Sequence, residues 1–180
     1  MTAKDLIPLN EEARIENLKK YKVLYTKPEP IFDQLAAIAA TMLNAPVAMI
    51  NFIDRFVVWT KANQRGESGM ETDRESSLCS LAILNEKVTV FEDIQKEISL
   101  ISNPMIAGEH GFRFYAAAPI VTDEGFRVGS VCVMDQTSRE FSEEDQQKLA
   151  WVANMVRLEM NKRVSKKQLI NKTKFLSVYV

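Results

Sequence analysis

Residues 112–135 read FRFYAAAPIVTDEGFRVGSVCVMD, two apolar runs parted by a short polar turn. Between residues 112–122 and 126–135, the Asp123-Glu124-Gly125 segment puts a glycine where a tight turn needs positive φ, so the stretch predicts a β-hairpin. The sheet of this protein is therefore at least partly antiparallel.

Working outward toward the N-terminus, residues 47–53 are apolar on both alternating sets, Val47, Met49 and Ile53 on one and Ala48, Ile50 and Phe52 on the other. That pattern predicts a central strand covered on both faces. A short strand over 56–59 follows. Residues 63–77 are polar and hold Gly66 and Gly69, which predicts a long irregular loop and a first candidate lid. A short helix over 78–84, a strand over 88–91 and a loop through Asn103-Pro104 and 108–111 lead back to the hairpin.

Farther out, Asn10 is placed to cap a first helix running to about Tyr21, with Glu11 and Glu12 where the helix dipole favours acids. After the connector at 26–30, Phe32, Leu35, Ile38, Ala39, Met42 and Leu43 recur at helical spacing and predict a core-facing helix. Beyond the hairpin, Ser142 caps a long helix opening with Glu143-Glu144-Asp145, and Leu149, Val152, Val156, Met160 and Val164 form an apolar stripe. The stripe outlasts the needs of one small domain and suggests a dimer seam. The reading is an α+β domain with helices packed on a central antiparallel sheet. Its organisation is an N-terminal helix and connector (1–30), a core (31–141) and a long C-terminal helix and tail (142–180).

The chain has 180 residues, 46% of them hydrophobic, which is one domain's worth and enough to bury a core without disulfides. Lys+Arg 23 against Asp+Glu 24 leaves a formal net charge of -1, without the basic field of a nucleic-acid binder. Cys79 and Cys132 match neither a disulfide framework nor a paired metal-site spacing. A reducing cytoplasm fits them, and the charged N-terminus lacks the apolar core of a signal peptide. Residues 34–53 carry no charge, but Gln34, Thr41, Asn44, Asn51 and Pro46 divide them into a helix and a strand, and no membrane span is expected.

Several blocks resemble the GAF family as found in bacterial sensor kinases and cyclic-dinucleotide signalling proteins. They are residues 10–14 through 24–26, Phe32-Asp33-Gln34-Leu35, Trp59-Thr60-Lys61-Ala62, Glu71-Thr72, Arg74, Ser77-Leu78-Cys79, Asn103-Pro104, Arg113 through Pro119, and Gly129 through Asp135. The resemblance implies a sensory domain that binds a small molecule or partner protein and couples to a sensor kinase or effector through the terminal helices of a homodimer. The short-helix motif of these relatives usually carries a histidine where this chain has Leu81, so no bilin, haem or other cofactor is expected. Fold transfers across such a likeness better than ligand does.

The expected pocket, between the sheet and the loop covering it, takes Trp59, Arg74, Ser77, Cys79 and Tyr115 as candidates. Two readings of Trp59 and Tyr115 stand side by side, pocket walls or core aromatics. Arg74 is suited to an anionic ligand group, or to Asp54, Glu71 or Asp73. Cys132 reads as core packing. Cys79 opens a helix, where a thiol's pKa falls, and the alternative to a non-catalytic sensor is a Cys79-dependent reductase of free methionine sulfoxide. His110, the chain's one histidine, reads as a solvated loop residue. The basic run from Arg157 to Lys174 reads as a solvated helix face. No catalytic constellation, metal-ligand set or nucleotide-binding glycine loop is present in the pattern of residues.

Overall fold

The computed structural model describes residues 6–97 and 111–177, with side chains described through residue 165. His110, the Asn103-Pro104 pair and the basic side chains from Lys166 onward lie outside those described. The elements run α1 (Glu11–Tyr21), α2 (Pro30–Met42), β1 (Val47–Ile53), β2 (Val57–Asn63), β3 (Met70–Asp73), α3 (Cys79–Ala82), β4 (Thr89–Phe91), β5 (Phe114–Val121), β6 (Arg127–Asp135) and α4 (Glu143–Ser177). Single 3-10 turns occupy Arg74–Ser76 and Ile94–Lys96.

The strands form one six-stranded sheet in the order β3-β2-β1-β6-β5-β4, and every neighbouring pair is antiparallel. The expected hairpin is β5–β6, and Gly125 in its turn has φ +84°. Gly129 of β6 serves a different need. A Cβ there would lie 2.3 Å from the Asn51 carbonyl oxygen, so only glycine lets β1 and β6 approach.

The two faces of this sheet carry two cores. On one, α1, α2 and α4 cover Ala48, Ile50, Phe52, Phe114, Ala116, Ile120, Val131 and Val133. On the other, Ile53, Val58, Tyr115, Ala117, Cys132 and Met134 pack against Leu78, Cys79, Leu81, Ala82 and Ile83 from α3 and its flanks. Period-two alternation along each strand sorts the side chains between the two cores.

Several local expectations are corrected. Asn10 precedes α1, but its side chain makes no capping hydrogen bond, and only its carbonyl accepts from the Arg14 N–H. Ser142 does cap α4, accepting from the Asp145 N–H at 3.1 Å while the Asp145 carboxylate accepts from the Ser142 N–H at 3.3 Å. That reciprocal pair is a capping box with Asp in the usual Glu place. The loop expected over 63–77 contains edge strand β3, whose largely exposed side chains give no apolar alternation to read. On α2, Phe32, Leu35, Ala36 and Ala39 are buried, whereas Ile38 and Met42 are 39% and 41% exposed.

The largest correction concerns α4. Leu149, Val152, Val156 and Met160 are completely buried in their own domain's core, with Val164 packed against it. That stripe is the seam between helix and sheet and cannot also be a dimer seam. A different set remains outside: Trp151 and Leu158 on α4, beside Ile31, Ile38 and Met42 on α2. Ile31 shares a surface groove with Leu158, and Arg139, just before α4, donates to the carbonyls of Leu43 and Asn44 just after α2. The two helices therefore run antiparallel, which sets Ile38 level with Trp151 and Met42 about one helical turn beyond it. No helix among the described residues is long and apolar enough to cross a membrane.

Candidate functional site

Polar side chains gather on the α3 face of the sheet, at its middle, where apolar residues are the rule. Cross-strand register places them: Asn51 of β1 lies opposite Thr60 of β2 on one side and Ser130 of β6 on the other, while Cys132 lies between Met49 and Ala117. Thr60 Oγ1 donates to Asn51 Oδ1 at 2.8 Å, which fixes the amide with its NH2 toward the sulfurs. Asn51 Nδ2 then donates to Cys79 Sγ at 3.3 Å and to Cys132 Sγ at 3.5 Å.

The cover comes from the segment 77–82. Ser77 Oγ accepts from the Cys79 N–H at 3.2 Å, and Ser80 Oγ donates to the Arg74 carbonyl at 2.6 Å, so the short helix is tied down at its start. This places Cys79 Sγ 3.8 Å from Cys132 Sγ, with both thiols free. Two cysteines that sequence spacing held apart are thus in van der Waals contact, brought together by the sheet register and the α3 cover.

Electrostatics within the cluster separate the two thiols. Hydrogen bonding from Cys132, helped by the hydroxyls of Tyr115, Ser130 and Ser77, outweighs burial and draws Cys79 down to about 6. The same contact and burial push Cys132 well above its usual range, because a second thiolate beside the first is unfavourable. Tyr115 is fully buried and its phenol is likewise pushed up, chiefly by burial. Its hydroxyl and Ser130 Oγ bear on the Cys79 sulfur without a well-formed hydrogen bond to it or to any other described residue. Buried hydroxyls are normally satisfied, so these two are groups in want of an acceptor or donor.

Of the five sequence candidates, the fold brings Ser77, Cys79 and Tyr115 together and sends the other two elsewhere. Trp59 follows Val58 and precedes Thr60, so alternation turns its ring to the opposite face, where it packs on Tyr25 at 4.9 Å between ring centroids. Arg74 is buried beneath the N-terminal segment. Its Nη1 donates to Glu11 Oε1 at 2.5 Å and its Nη2 to the Leu6 carbonyl at 3.1 Å. The acid expected among Asp54, Glu71 and Asp73 is instead Glu11, with Asp54 offering only its carbonyl, at 3.2 Å. Arg14 completes the group, donating to Glu11 at 2.8 Å and to the Ile53 carbonyl at 2.7 Å.

The residues that sequence reading passed over are Asn51, Thr60, Ser130 and the partnership of Cys132. Their signal was present as a small polar residue at an inward position of each of three apolar strands. Among the described residues no group of three metal-ligating side chains is found.

A GAF domain family model matches residues 27–160. A cyclic di-GMP phosphodiesterase of Pseudomonas aeruginosa is 32% identical over 132 residues, which cover 73% of this chain and 22% of that protein. The chain thus spans about a fifth of that relative's length. Among solved structures, the GAF domain of a phosphoenolpyruvate-protein phosphotransferase from Coxiella burnetii superposes with a TM-score of 0.64 at 14% identity, covering 89% of this chain and 98% of that one. A type II free methionine-R-sulfoxide reductase from Thermoplasma acidophilum gives 0.56 at 14% identity, covering 73% and 92%. At such identities these two likenesses concern the fold alone. With a family model spanning most of its length and this six-stranded sheet between two cores, the chain belongs to the GAF domain family.

Proposed function

We infer that this is a non-catalytic, cytoplasmic sensory domain that binds a small polar molecule against the α3 face of its sheet and signals through its terminal helices in a homodimer. The observation that carries the reading is the pair of buried hydroxyls, Tyr115 and Ser130, without partners among the described residues. They stand beside the Asn51–Thr60 pair and beneath a cover of one short helix. A small ligand with hydrogen-bonding atoms would satisfy both hydroxyls. The Pseudomonas aeruginosa relative carries the name of a cyclic di-GMP phosphodiesterase, and this chain matches only a minor part of it, in keeping with a regulatory role for the matched region.

Dimerisation uses the exposed set Trp151, Leu158, Ile31, Ile38 and Met42 rather than the buried stripe. Five large apolar side chains on two adjacent antiparallel helices form a patch of the kind that marks protein contact. Residues 142–180 act as the output element toward a kinase or other effector, since α4 both seals one core and runs on beyond it.

A thiol reductase is the weaker reading. Its substrate, an amino acid several times the size of a small peroxide, would have to reach Cys79, which is 6% exposed, and Cys132, which is 0% exposed. A coupled NADPH assay on free methionine sulfoxide separates the two, and turnover abolished by Cys79→Ser would reverse the assignment. For the sensor, the native mass and absorption spectrum of the purified chain are compared with its denatured mass, and light scattering reads the oligomer. Absence of any bound mass or thermal-shift ligand, together with a strict monomer, would sink it.

A further inference from the structure

Cys79 and Cys132 are more than neighbours in a core. Their sulfurs touch at 3.8 Å, a single amide donates to both, and they come from different layers of the fold, one from the covering helix and one from the sheet beneath. A disulfide requires its sulfurs at about 2.05 Å, so closing the bond needs a movement of under 2 Å, roughly one side-chain adjustment on a four-residue helix.

We propose that Cys79 and Cys132 form a reversible intradomain disulfide, with hydrogen peroxide or another small peroxide as the oxidant. Cys79, on the outer side, is the attacking thiol, and Cys132, with no exposure, resolves it from within. In the first step the Cys79 thiolate attacks one peroxide oxygen, the O–O bond breaks, and the departing hydroxide is protonated to water, leaving a sulfenic acid. In the second, Cys132 sulfur attacks Cys79 sulfur, the S–O bond breaks, and the hydroxyl leaves with the Cys132 proton as a second water. Two thiols lose two electrons and one peroxide becomes two waters. Asn51 Nδ2 donates to the thiolate in the first step and to the leaving group's neighbour in the second, without changing its own anchor on Thr60.

The order of attack follows from the environment. The hydroxyls of Ser77, Ser130 and Tyr115 favour the thiolate at Cys79, whereas Cys132 is held as the thiol beside it. A thiolate is the reactive form toward peroxides. The product ties α3 covalently to β6, so oxidation fixes the cover on the polar floor. This consequence concerns the cover itself and stands whether or not a ligand binds beneath it.

The test uses the reduced 180-residue chain, treated with hydrogen peroxide, quenched with acid, denatured and alkylated with iodoacetamide. The expected product is a monomer lighter by two hydrogens, carrying no alkyl group, with Cys79 and Cys132 in one cross-linked peptide. Dithiothreitol returns two alkylation sites. In Cys132→Ser, and in Cys132→Ala should serine disturb the core, dimedone labels Cys79. In Cys79→Ser the label is lost. Circular dichroism establishes that each variant is folded. Two free thiols after peroxide treatment of the folded chain, a cross-link between molecules, or equal dimedone labelling of Cys132 in Cys79→Ser would each overturn the proposal. Hydrogen exchange over residues 78–84 should slow on oxidation, and unchanged exchange would remove the clamping role. None of these readouts requires the ligand proposed above.

Discussion

Arg74 Nη1 donates to Glu11 Oε1 at 2.5 Å, joining residues 63 positions apart and clasping the first helix to the segment that leads into α3. Burial alone would raise the Glu11 pKa, but the Arg14 and Arg74 guanidiniums overcome it and lower the group from 4.5 to about 2. A carboxylate with a depressed folded-state pKa stabilises the fold fully above its unfolded value. That contribution is lost as pH falls from about 4.5 toward 2. Glu11→Gln should therefore cost about 2 kcal/mol at neutral pH, at the low side of buried-pair losses because the glutamate is partly solvated. Urea unfolding at several pH values should show a flatter acid limb in the variant; an unchanged slope between pH 5 and 3 would dismiss the clasp.

The placement of α4 separates two residues that sequence pattern alone would not. Met160 is fully buried and Leu158 is 39% exposed. Met160→Ala should destabilise the monomer by about 3 kcal/mol through lost burial and an unfilled cavity. Leu158→Ala should change monomer stability by less than about 0.5 kcal/mol. The proposed dimer reverses the ranking, since Leu158→Glu should lower association while Met160→Leu leaves it intact. Sedimentation equilibrium beside thermal melts reads both, and equal effects at the two positions would contradict this orientation of the helix.

How much of this was legible depended on whether the signal was periodic. The β5–β6 hairpin, the central strand and the Ser142 cap all announce themselves within a few residues, through Gly125, through two-sided apolar alternation and through the Ser-x-x-Asp box. The α4 stripe was equally legible, but periodicity says that a face is buried and not what buries it. Edge strand β3 was invisible because an exposed strand has no core to alternate against. The site was the least legible part. The Cys79–Cys132 contact joins positions 53 apart and depends on sheet order, and the partners of Asn51 depend on a bulge at Lys61 in β2, opposite the Ile50–Asn51 step of β1. Of the two readings of Trp59, one step of alternation favours packing against Tyr25 over the α3 face, since a single residue moves a side chain to the other face.

Gly129 offers a direct check on that register. Any side chain there meets the Asn51 carbonyl oxygen at 2.3 Å and the Phe52 ring at 3.0 Å, the first being backbone that cannot rotate away. Gly129→Ala should cost roughly 3 kcal/mol, as overpacking of a close-fitted core does. Because the clash pushes on Asn51, the variant should also loosen its hold on the two sulfurs. Denaturant melts give the first quantity, and faster alkylation of the native thiols gives the second. A stable, fully folded Gly129→Ala would mean that β1 and β6 do not pair in this register.

Tyr115 and Asn51 make opposite predictions although both are buried polar residues on the same face. Asn51 is satisfied by Thr60 and by both thiols, so Asn51→Ala leaves Thr60 Oγ1 without its acceptor and should cost roughly 1–3 kcal/mol. The Tyr115 hydroxyl has no such partner among the described residues and contributes only by bearing on the Cys79 sulfur. Tyr115→Phe keeps the ring and removes a buried, unsatisfied hydroxyl, so it should leave stability unchanged or raise it by up to about 1 kcal/mol. It should also raise the Cys79 pKa, because one of the hydroxyls whose proximity favours the thiolate is gone, and iodoacetamide labelling at neutral pH should slow. In the sensory reading the same variant loses ligand affinity, since the hydroxyl is kept for the ligand and not for the fold. A Tyr115→Phe chain that melts several degrees lower would show instead that the hydroxyl is already satisfied in the folded protein, and the case for a ligand there would fail with it.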